Sequence, residues 1–238
     1  MSRHQGGSAR EAVLRTLRRR IVRSELPPGS PIAEKEVSAE LGISRTPVRE
    51  ALMLLREEGL VQVFPQLGTF VTRISLERVR QSQFIREALE CASLGEALGR
   101  AGAQDHREVA AVLDEQRAAI RALDYDAFFE LDDAFHRRLM KVAGRDDVWP
   151  EVSSAKTHLD RARRLSLPLP NVLSRLYEEH AAIAHGLAVG DATLSIGSLR
   201  THLRAVFADV DEIRSARPEF FTEGAGDRPT RSVTTALL

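Results

Sequence analysis

Residues 41–52 have the sequence LGISRTPVREAL, and this stretch decides how the first part of the chain folds. Gly42 ends a short helix that begins at about residue 34. Ser44 can cap a second helix, which continues to about residue 58. Two short helices joined by a glycine-containing turn are typical of a helix-turn-helix, and a further helix is predicted ahead of them over 9–24.

The second helix of this pair carries basic and hydroxyl side chains at its start, namely Ser44, Arg45, Thr46 and Arg49. A helix-turn-helix places these first residues nearest the base edges in the major groove. Arg45 and Arg49 lie one turn apart on one face, where arginine can bind guanine bidentately or hold phosphates. The pattern predicts DNA binding; the alternative for each arginine is an ordinary solvated surface residue.

Two short β-rich runs follow these helices, at 60–63 and 69–72, with a glycine-containing turn between them. This pattern predicts a hairpin, and Gly68 at its tip lets the backbone approach the minor groove of DNA closely. Three helices and a hairpin in this order favour a winged helix-turn-helix over 9–73, preceded by a flexible N-terminus at 1–8.

The β pattern ends after Thr72, and the rest of the chain is dominated by helical periodicity. A linker at 74–76 is predicted to lead into an all-helical domain over 77–217. Its helices are expected at about 76–101, 105–123, 125–143, 147–166, 171–189 and 191–216, and their short connections predict a bundle. The segment 218–238 is rich in Gly, Thr, Ser and Arg and is predicted to be disordered. The expected fold class is mainly α, with a winged helix-turn-helix followed by an all-α helical bundle.

The composition fits a globular protein that does not enter a membrane. Of the 238 residues, 43% are apolar and 29% are charged, and no apolar run reaches the roughly 18 residues of a membrane span. A single cysteine, Cys91, and the lack of a secretory signal make a reducing cytoplasm the expected location. Residues 1–73 hold 12 Lys/Arg and 8 Asp/Glu, whereas 74–238 hold 22 and 26. This asymmetry suits a DNA-binding module on a larger domain, but a chance fluctuation explains it equally well.

Several short motifs in the first part of the chain resemble the GntR family of bacterial regulators. They are SELPPG at 24–29, IAEKEV at 32–37, LGISRTPVREAL at 41–52, EGLV at 58–61 and GTFV at 68–71. The resemblance covers about residues 9–73. It implies DNA contacts from Lys35, Arg45, Thr46, Arg49 and Gly68, and a homodimer on a pseudo-palindromic operator.

The second part of the chain looks like the FCD effector domain of the FadR subgroup of that family. The residues that carry this likeness are REALE at 86–90, DDAFH at 132–136, EEH at 178–180, Gly190-Asp191 and THL at 201–203. The resemblance covers about residues 76–216 and implies an effector-binding domain.

Four residues in this region have a spacing that suits a metal site. Asp132 and His136 are four residues apart, so they share one face of a helix. His180 and His202 lie at similar distances before and after the Gly190-Asp191 turn, so an antiparallel helix pair can bring them to one point. One carboxylate and three imidazoles suit zinc, nickel or manganese and leave open positions for a ligand carboxylate. For each residue taken singly, an ordinary surface or core position is the alternative.

A small organic acid is the expected effector, and arginines in the helical region are candidates to bind its carboxylate. Arg86 and Arg163 are the preferred two among Arg86, Arg161, Arg163 and Arg164, although solvated or ion-paired arginines are common. The sequence thus predicts a ligand-responsive DNA-binding transcription regulator, most simply a repressor, rather than an enzyme. Two alternatives stay open: a metal-dependent enzyme that uses the Asp/His site, and a regulator whose metal is structural or is itself the signal.

Overall fold

A computed structural model describes the backbone of residues 3–222 and the side chains of residues 9–222. The chain divides into two compact units. Of the described residues, 3–77 and 214–222 form the first unit, and 78–213 form the second.

The first unit is a winged helix-turn-helix, as predicted. Its helices and strands are α1 (Arg3–Val22), β1 (Pro31–Ile32), α2 (Glu34–Leu41), α3 (Arg45–Glu57), β2 (Val61–Phe64) and β3 (Gly68–Val71). Leu17 and Ile21 of α1 pack in one buried cluster with Val48 and Leu55 of α3. This shared core holds α3 in place while its other face remains exposed.

The wing has three strands in the order β1-β3-β2, one more than the predicted hairpin. Strand β1 pairs antiparallel with β3 through Pro31 opposite Phe70 and Ile32 opposite Thr69. A run of two residues is too short to show β periodicity in the sequence, so only its pairing with β3 reveals it.

The turn between α2 and α3 is built by Gly42, which has the left-handed φ of 65°. Its N–H donates to carbonyl oxygens of the last turn of α2, and the Ser38 hydroxyl donates to the carbonyl of Ile43 at 2.5 Å. Ser44 occupies the predicted N-cap position of α3, but its side chain makes no capping hydrogen bond.

The second unit consists of helices only, in agreement with the predicted bundle. The helices are α4 (Leu76–Leu98), α5 (Ala103–Ala122), α6 (Tyr125–Val142), α7 (Trp149–Ala155), α8 (Thr157–Ser166), α9 (Val172–Val189) and α10 (Ala192–Ala216), with a short 3-10 helix at Asp146–Val148. Phe135 and Leu139 of α6 meet Ile183 of α9 and Leu199 of α10 in a buried cluster. This cluster brings α6, α9 and α10 together next to the predicted metal ligands.

One predicted helix is divided in two by the structure. The segment expected as a single helix over 147–166 is interrupted at Lys156, between α7 and α8. Lys156 is buried, and its ammonium group lies 2.9 Å from Asp133 and 2.6 Å from Asp160. A buried ammonium needs such partners, and periodicity carries no information about them.

Three predicted boundaries are wrong. Helix α1 begins at Arg3 and not at residue 9, so the low helix propensity of Gly6 and Gly7 does not stop the helix from extending past the predicted cap. The predicted linker 74–76 contains strand β4 (Ile74–Ser75) and the first residue of α4.

The predicted disordered tail also begins too early. A short 3-10 helix at Pro218–Phe220 leads into strand β5 (Phe221–Thr222), which pairs in parallel with β4. Phe220 and Phe221 are buried, so apolar burial outweighs the polar composition around them. The rest of the predicted tail, 223–238, lies outside the described residues.

Candidate metal centre and nucleic-acid interface

The start of α3 presents the side chains that the sequence predicts for DNA binding. Ser44, Arg45, Thr46 and Arg49 are all exposed. Val48 lies between them in sequence but points the other way and is fully buried. The helix therefore fixes its position through its apolar face and leaves the predicted reading face accessible.

Arg49 is held by Glu34, the first residue of α2. Its Nη2 lies 2.9 Å from Glu34 Oε2, and its Nε lies 3.3 Å from both carboxylate oxygens. Lys35, the next residue of α2, is exposed, as is Gly68 at the start of β3, where φ is 108°. All six predicted DNA-binding residues are thus exposed on α2, α3, the turn between them and the wing.

The four predicted metal ligands converge in the interior of the second unit. Asp132 and His136 come from α6, His180 from α9 and His202 from α10, and one ligand atom from each lies within 4.8 Å of the other three. His202 Nε2 is 3.1 Å from His136 Nε2 and 3.3 Å from His180 Nε2. Asp132 Oδ1 is 3.5 Å from His180 Nε2. All four residues are buried.

A close contact between α9 and α10 helps to position two of these ligands. At Gly186 of α9 a Cβ atom would lie only 2.6 Å from the backbone nitrogen of Ser195 on α10. The Ser195 hydroxyl donates to the carbonyl of Ile183 at 3.0 Å. Because a side chain is missing at residue 186, the two helices can approach closely enough for His180 and His202 to meet.

Each histidine has an acceptor oxygen beside its other ring nitrogen. Nδ1 lies 2.7 Å from Glu90 Oε2 for His136 and 3.0 Å from Gln116 Oε1 for His180. For His202 the acceptor is Glu179 Oε2, at 2.8 Å. These acceptors place the ring proton on Nδ1 and leave Nε2 as a lone pair, which is the arrangement found for histidines that bind metals.

The electrostatics keep His180 and His202 neutral and Asp132 charged. Burial lowers the pKa of His202 to about 4 and holds the pKa of His180 well below its ordinary value. Burial alone would raise the pKa of Asp132, but the Arg163 guanidinium beside it holds that pKa well below the usual range. Neutral imidazole and ionised carboxylate are the forms that bind a metal.

The residues present fit a divalent transition metal. Three Nε2 lone pairs and one carboxylate face a common point, and Asp132 Oδ2 is buried without a hydrogen bond from any described residue. A buried carboxylate oxygen with no hydrogen-bond donor is costly unless a cation satisfies it. Zinc, nickel and manganese all accept this donor set.

Arg86 and Arg163 lie next to this cluster. They line a cavity of about 10 Å³ whose other walls are Ser166, Leu176, His202, Leu203, Val206 and Asp209. Both arginines are buried. Arg164, by contrast, stacks its guanidinium 3.8 Å above the Phe129 ring, and neither it nor Arg161 lines this cavity.

Sequence comparison agrees with both units. The family described as "Bacterial regulatory proteins, gntR family" matches residues 9–71, and the FCD domain family matches residues 82–205. An uncharacterised HTH-type transcriptional regulator from an unstable DNA locus of Streptomyces ambofaciens is 43% identical over 97% of both chains. The chain belongs to the GntR family. It is a DNA-binding transcription regulator with an FCD domain.

Two further proteins place this GntR regulator among its relatives. The HTH-type transcriptional repressor RspR of Escherichia coli is 36% identical over 90% of this chain and 93% of its own. The solved structure of McbR/YncC from E. coli has the same fold, with a TM-score of 0.72, 19% identity, and coverage of 86% of this chain and 98% of the other. Among the described helices of this GntR chain, none combines the length and apolar character needed to cross a membrane.

The sequence predicted the Asp/His cluster of this GntR regulator but not the residues behind it. Glu179 directly precedes His180, and Glu90 lies in the REALE motif, so both were within reach of sequence reasoning. Gln116 carries no such signal, because it comes from the middle of α5 with no motif around it. Only the packing of α5 against α9 brings Gln116 to His180.

Proposed function

We propose that this GntR regulator is a repressor that binds a pseudo-palindromic operator as a homodimer and responds to a small carboxylated metabolite. The observation that carries the proposal is the convergence of three histidine Nε2 atoms and the Asp132 carboxylate inside the FCD domain. The exposed start of α3 supplies the DNA-reading side. The repressor relatives support the direction of the response.

On the DNA side, Arg45 and Arg49 contact base edges or phosphates at the start of α3. Ser44, Thr46 and Lys35 hold the phosphate backbone around them, and Gly68 brings the wing to the minor groove. A helix-turn-helix dimer reads half-sites about one helical turn apart. A small change in the separation of the two reading heads is therefore enough to lower operator affinity.

On the effector side, Asp132, His136, His180 and His202 hold the metal. When bound, zinc, nickel or manganese supplies a Lewis-acid position for a carboxylate oxygen. Arg86 and Arg163 stand beside this position and supply guanidinium groups for the same carboxylate. A metabolite that prefers one dimer geometry shifts the population between operator-bound and free protein.

The test is a fluorescence-anisotropy titration of the upstream region of the protein's own gene. Purified protein is stripped of metal, reloaded with zinc, nickel or manganese, and titrated with and without a panel of organic acids. We expect operator binding that one class of acids weakens only when metal is present. Absence of operator binding at low salt, or acid binding that is the same with and without metal, would overturn the proposal. Turnover of an acid would favour an enzyme instead.

A further inference from the structure

Two buried arginines connect the metal centre to the cavity beside it. Arg163 forms an ion pair with Asp132 Oδ1, an oxygen of a metal ligand. Arg86 donates from Nε to Glu90 Oε1 at 2.7 Å, and the other oxygen of Glu90 lies 2.7 Å from His136 Nδ1. Both arginines line the same cavity as His202. Each cavity arginine is thus bound to a carboxylate that the metal centre also uses.

The Asp132 carboxylate faces two competing cations. Its Oδ1 atom pairs with Arg163 and lies 3.5 Å from His180 Nε2, on the side where the ligand nitrogens converge. A divalent cation at that point attracts the carboxylate and repels the guanidinium. Because the site is buried, water screens neither interaction strongly.

Each guanidinium group also has unused hydrogen-bonding capacity. Arg86 Nη2 and Arg163 Nη1 are buried and have no hydrogen-bond partner among the described residues. The cavity that both arginines line measures about 10 Å³, which is room for about one water molecule. A carboxylate therefore enters this space only if some of the side chains that line it move.

We propose that metal and effector bind through an exchange of ion pairs. The metal binds the Asp132 carboxylate and, through His136, increases the attraction of the metal centre for Glu90. Arg163 and Arg86 then leave these two carboxylates and bind the carboxylate of the effector. The metal offsets the carboxylate charges that would repel the effector, and the effector binds the guanidinium groups that would repel the metal. Metal and carboxylate therefore strengthen each other's binding by the same factor. This inference rests on the proposed function, since it requires a metal in the Asp/His cluster.

A second arginine of the same unit, Arg175, also contacts a carboxylate beside the metal centre and provides a matched control. Arg175 donates to Glu179 Oε1 at 3.0 Å, and Glu179 accepts from His202 through its other oxygen. These contacts thus connect Arg175 to the proposed metal ligand His202. Arg175 binds Asp209 as well, at 2.7 and 2.8 Å, and it does not line the cavity. Its replacement by lysine alters the contact with Glu179 but keeps a positive charge beside Asp209, which is itself a wall of the cavity, so the ion pairs of the proposed exchange stay in place.

The experiment measures the zinc affinity of the full-length protein by competition with a chelator. Acetate is the carboxylate probe, and chloride at equal ionic strength is the reference. For the wild type we expect acetate to tighten zinc binding about tenfold, within the usual range of coupling between sites. Zinc should tighten acetate binding by the same factor.

The arginine variants decide whether the coupling follows the proposed route. In Arg86→Gln and Arg163→Gln the factor by which acetate tightens zinc binding should fall towards one, whereas Arg175→Lys should keep the wild-type factor. Without acetate, Arg163→Gln should bind zinc more tightly than the wild type, because Asp132 has lost its competing cation. If one of the two cavity variants fails to fold, the other still gives the answer.

Three outcomes count against the exchange and are distinguishable. Zinc binding that acetate does not change overturns the exchange but leaves the proposed metal site standing. Coupling that persists in both cavity variants overturns it too, since acetate then acts on the metal alone. A protein that binds no zinc, nickel or manganese overturns both the exchange and the metal part of the proposed function.

Discussion

The amide oxygen of Gln116 lies 3.0 Å from Nδ1 of His180, and the amide nitrogen of the same side chain donates to the carbonyl of Leu131 at 3.1 Å. The second contact fixes which end of the amide faces the histidine. Gln116 therefore accepts the Nδ1 proton of His180 and leaves Nε2 free for a metal. No charge is involved, in contrast to Glu90 and Glu179 behind the other two histidines.

Replacement of Gln116 by Leu should weaken metal binding without removing a ligand. The loss of an outer hydrogen bond to a ligating histidine typically costs about 10–100-fold in metal affinity. Zinc affinity measured by chelator competition checks this. Gln104→Leu, an exposed change on the same helix α5, is the control and should leave the affinity unchanged. Equal affinities for the two variants would show that Gln116 does not orient His180.

Replacement of Arg49 by Ala should weaken operator binding by about 1–3 kcal/mol if Arg49 makes a bidentate base contact. The lysine variant should not restore the loss, because an ammonium group cannot form the paired contact. Arg56→Ala changes an exposed arginine near the other end of α3 and serves as the control. Anisotropy titrations with the operator measure all three variants. An Arg49→Ala protein that binds like the Arg56→Ala protein would place Arg49 outside the interface.

Replacement of Gly186 by Ala should damage the metal centre from a distance. The new methyl group would lie 2.6–2.8 Å from atoms of Ser195, two of them in the backbone, so α9 and α10 must separate. Overpacking of this kind costs about 1–3 kcal/mol of unfolding free energy. It should also weaken metal binding, because His180 and His202 sit on these two helices.

The matched control for this change is Gly197→Ala on α10, where an added Cβ meets nothing within 4 Å. Gly to Ala in a helix stabilises by about 1 kcal/mol when there is room for the methyl group. Urea denaturation and zinc titration of both variants provide the comparison. Unchanged zinc affinity in Gly186→Ala would mean that the close helix contact does not set the ligand geometry.

His158 should make the protein sensitive to acid. Its side chain is buried, neither ring nitrogen has a hydrogen-bond partner among the described residues, and burial together with Arg161 and Arg78 lowers its pKa to about 3. In the unfolded chain the pKa is about 6.5. The unfolded state therefore binds the proton more readily, and stability falls as the pH drops from about 6.5 towards 3.

The variant His158→Leu should flatten this part of the pH profile. At pH 4 the histidine costs the wild type roughly 3 kcal/mol relative to neutral pH, by linkage between the two pKa values. Unfolding free energies from urea titrations at pH 7 and pH 4 measure the effect. His106→Leu, a histidine change on helix α5 that is distant from His158 in the sequence, is the control variant. The same acid loss in His158→Leu as in the wild type would contradict a neutral, buried His158.

The local sequence was sufficient to predict much of this protein. The LGISRTPVREAL stretch predicted α3, its buried Val48 and its exposed arginines, because helical periodicity and turn residues act over a few positions. The spacing of Asp132 and His136 fixed them on one face of α6 for the same reason. His180 and His202 could be added because a single turn joins α9 to α10. That turn predicts that the two residues lie at similar heights on neighbouring helices.

Contacts between distant segments were decided by tertiary structure alone. The parallel pairing of β4 with β5, the break at Lys156 and the approach of Gln116 to His180 each join residues with no shared local pattern. The ion pair between Arg163 and Asp132 belongs to the same group. The sequence by itself determined that Asp132, His136, His180 and His202 can meet and that the polar start of α3 is exposed, since both follow from helix geometry. Which acceptors and cations surround those ligands was decided only in the folded chain, because burial forces each polar group to find a partner wherever packing places one.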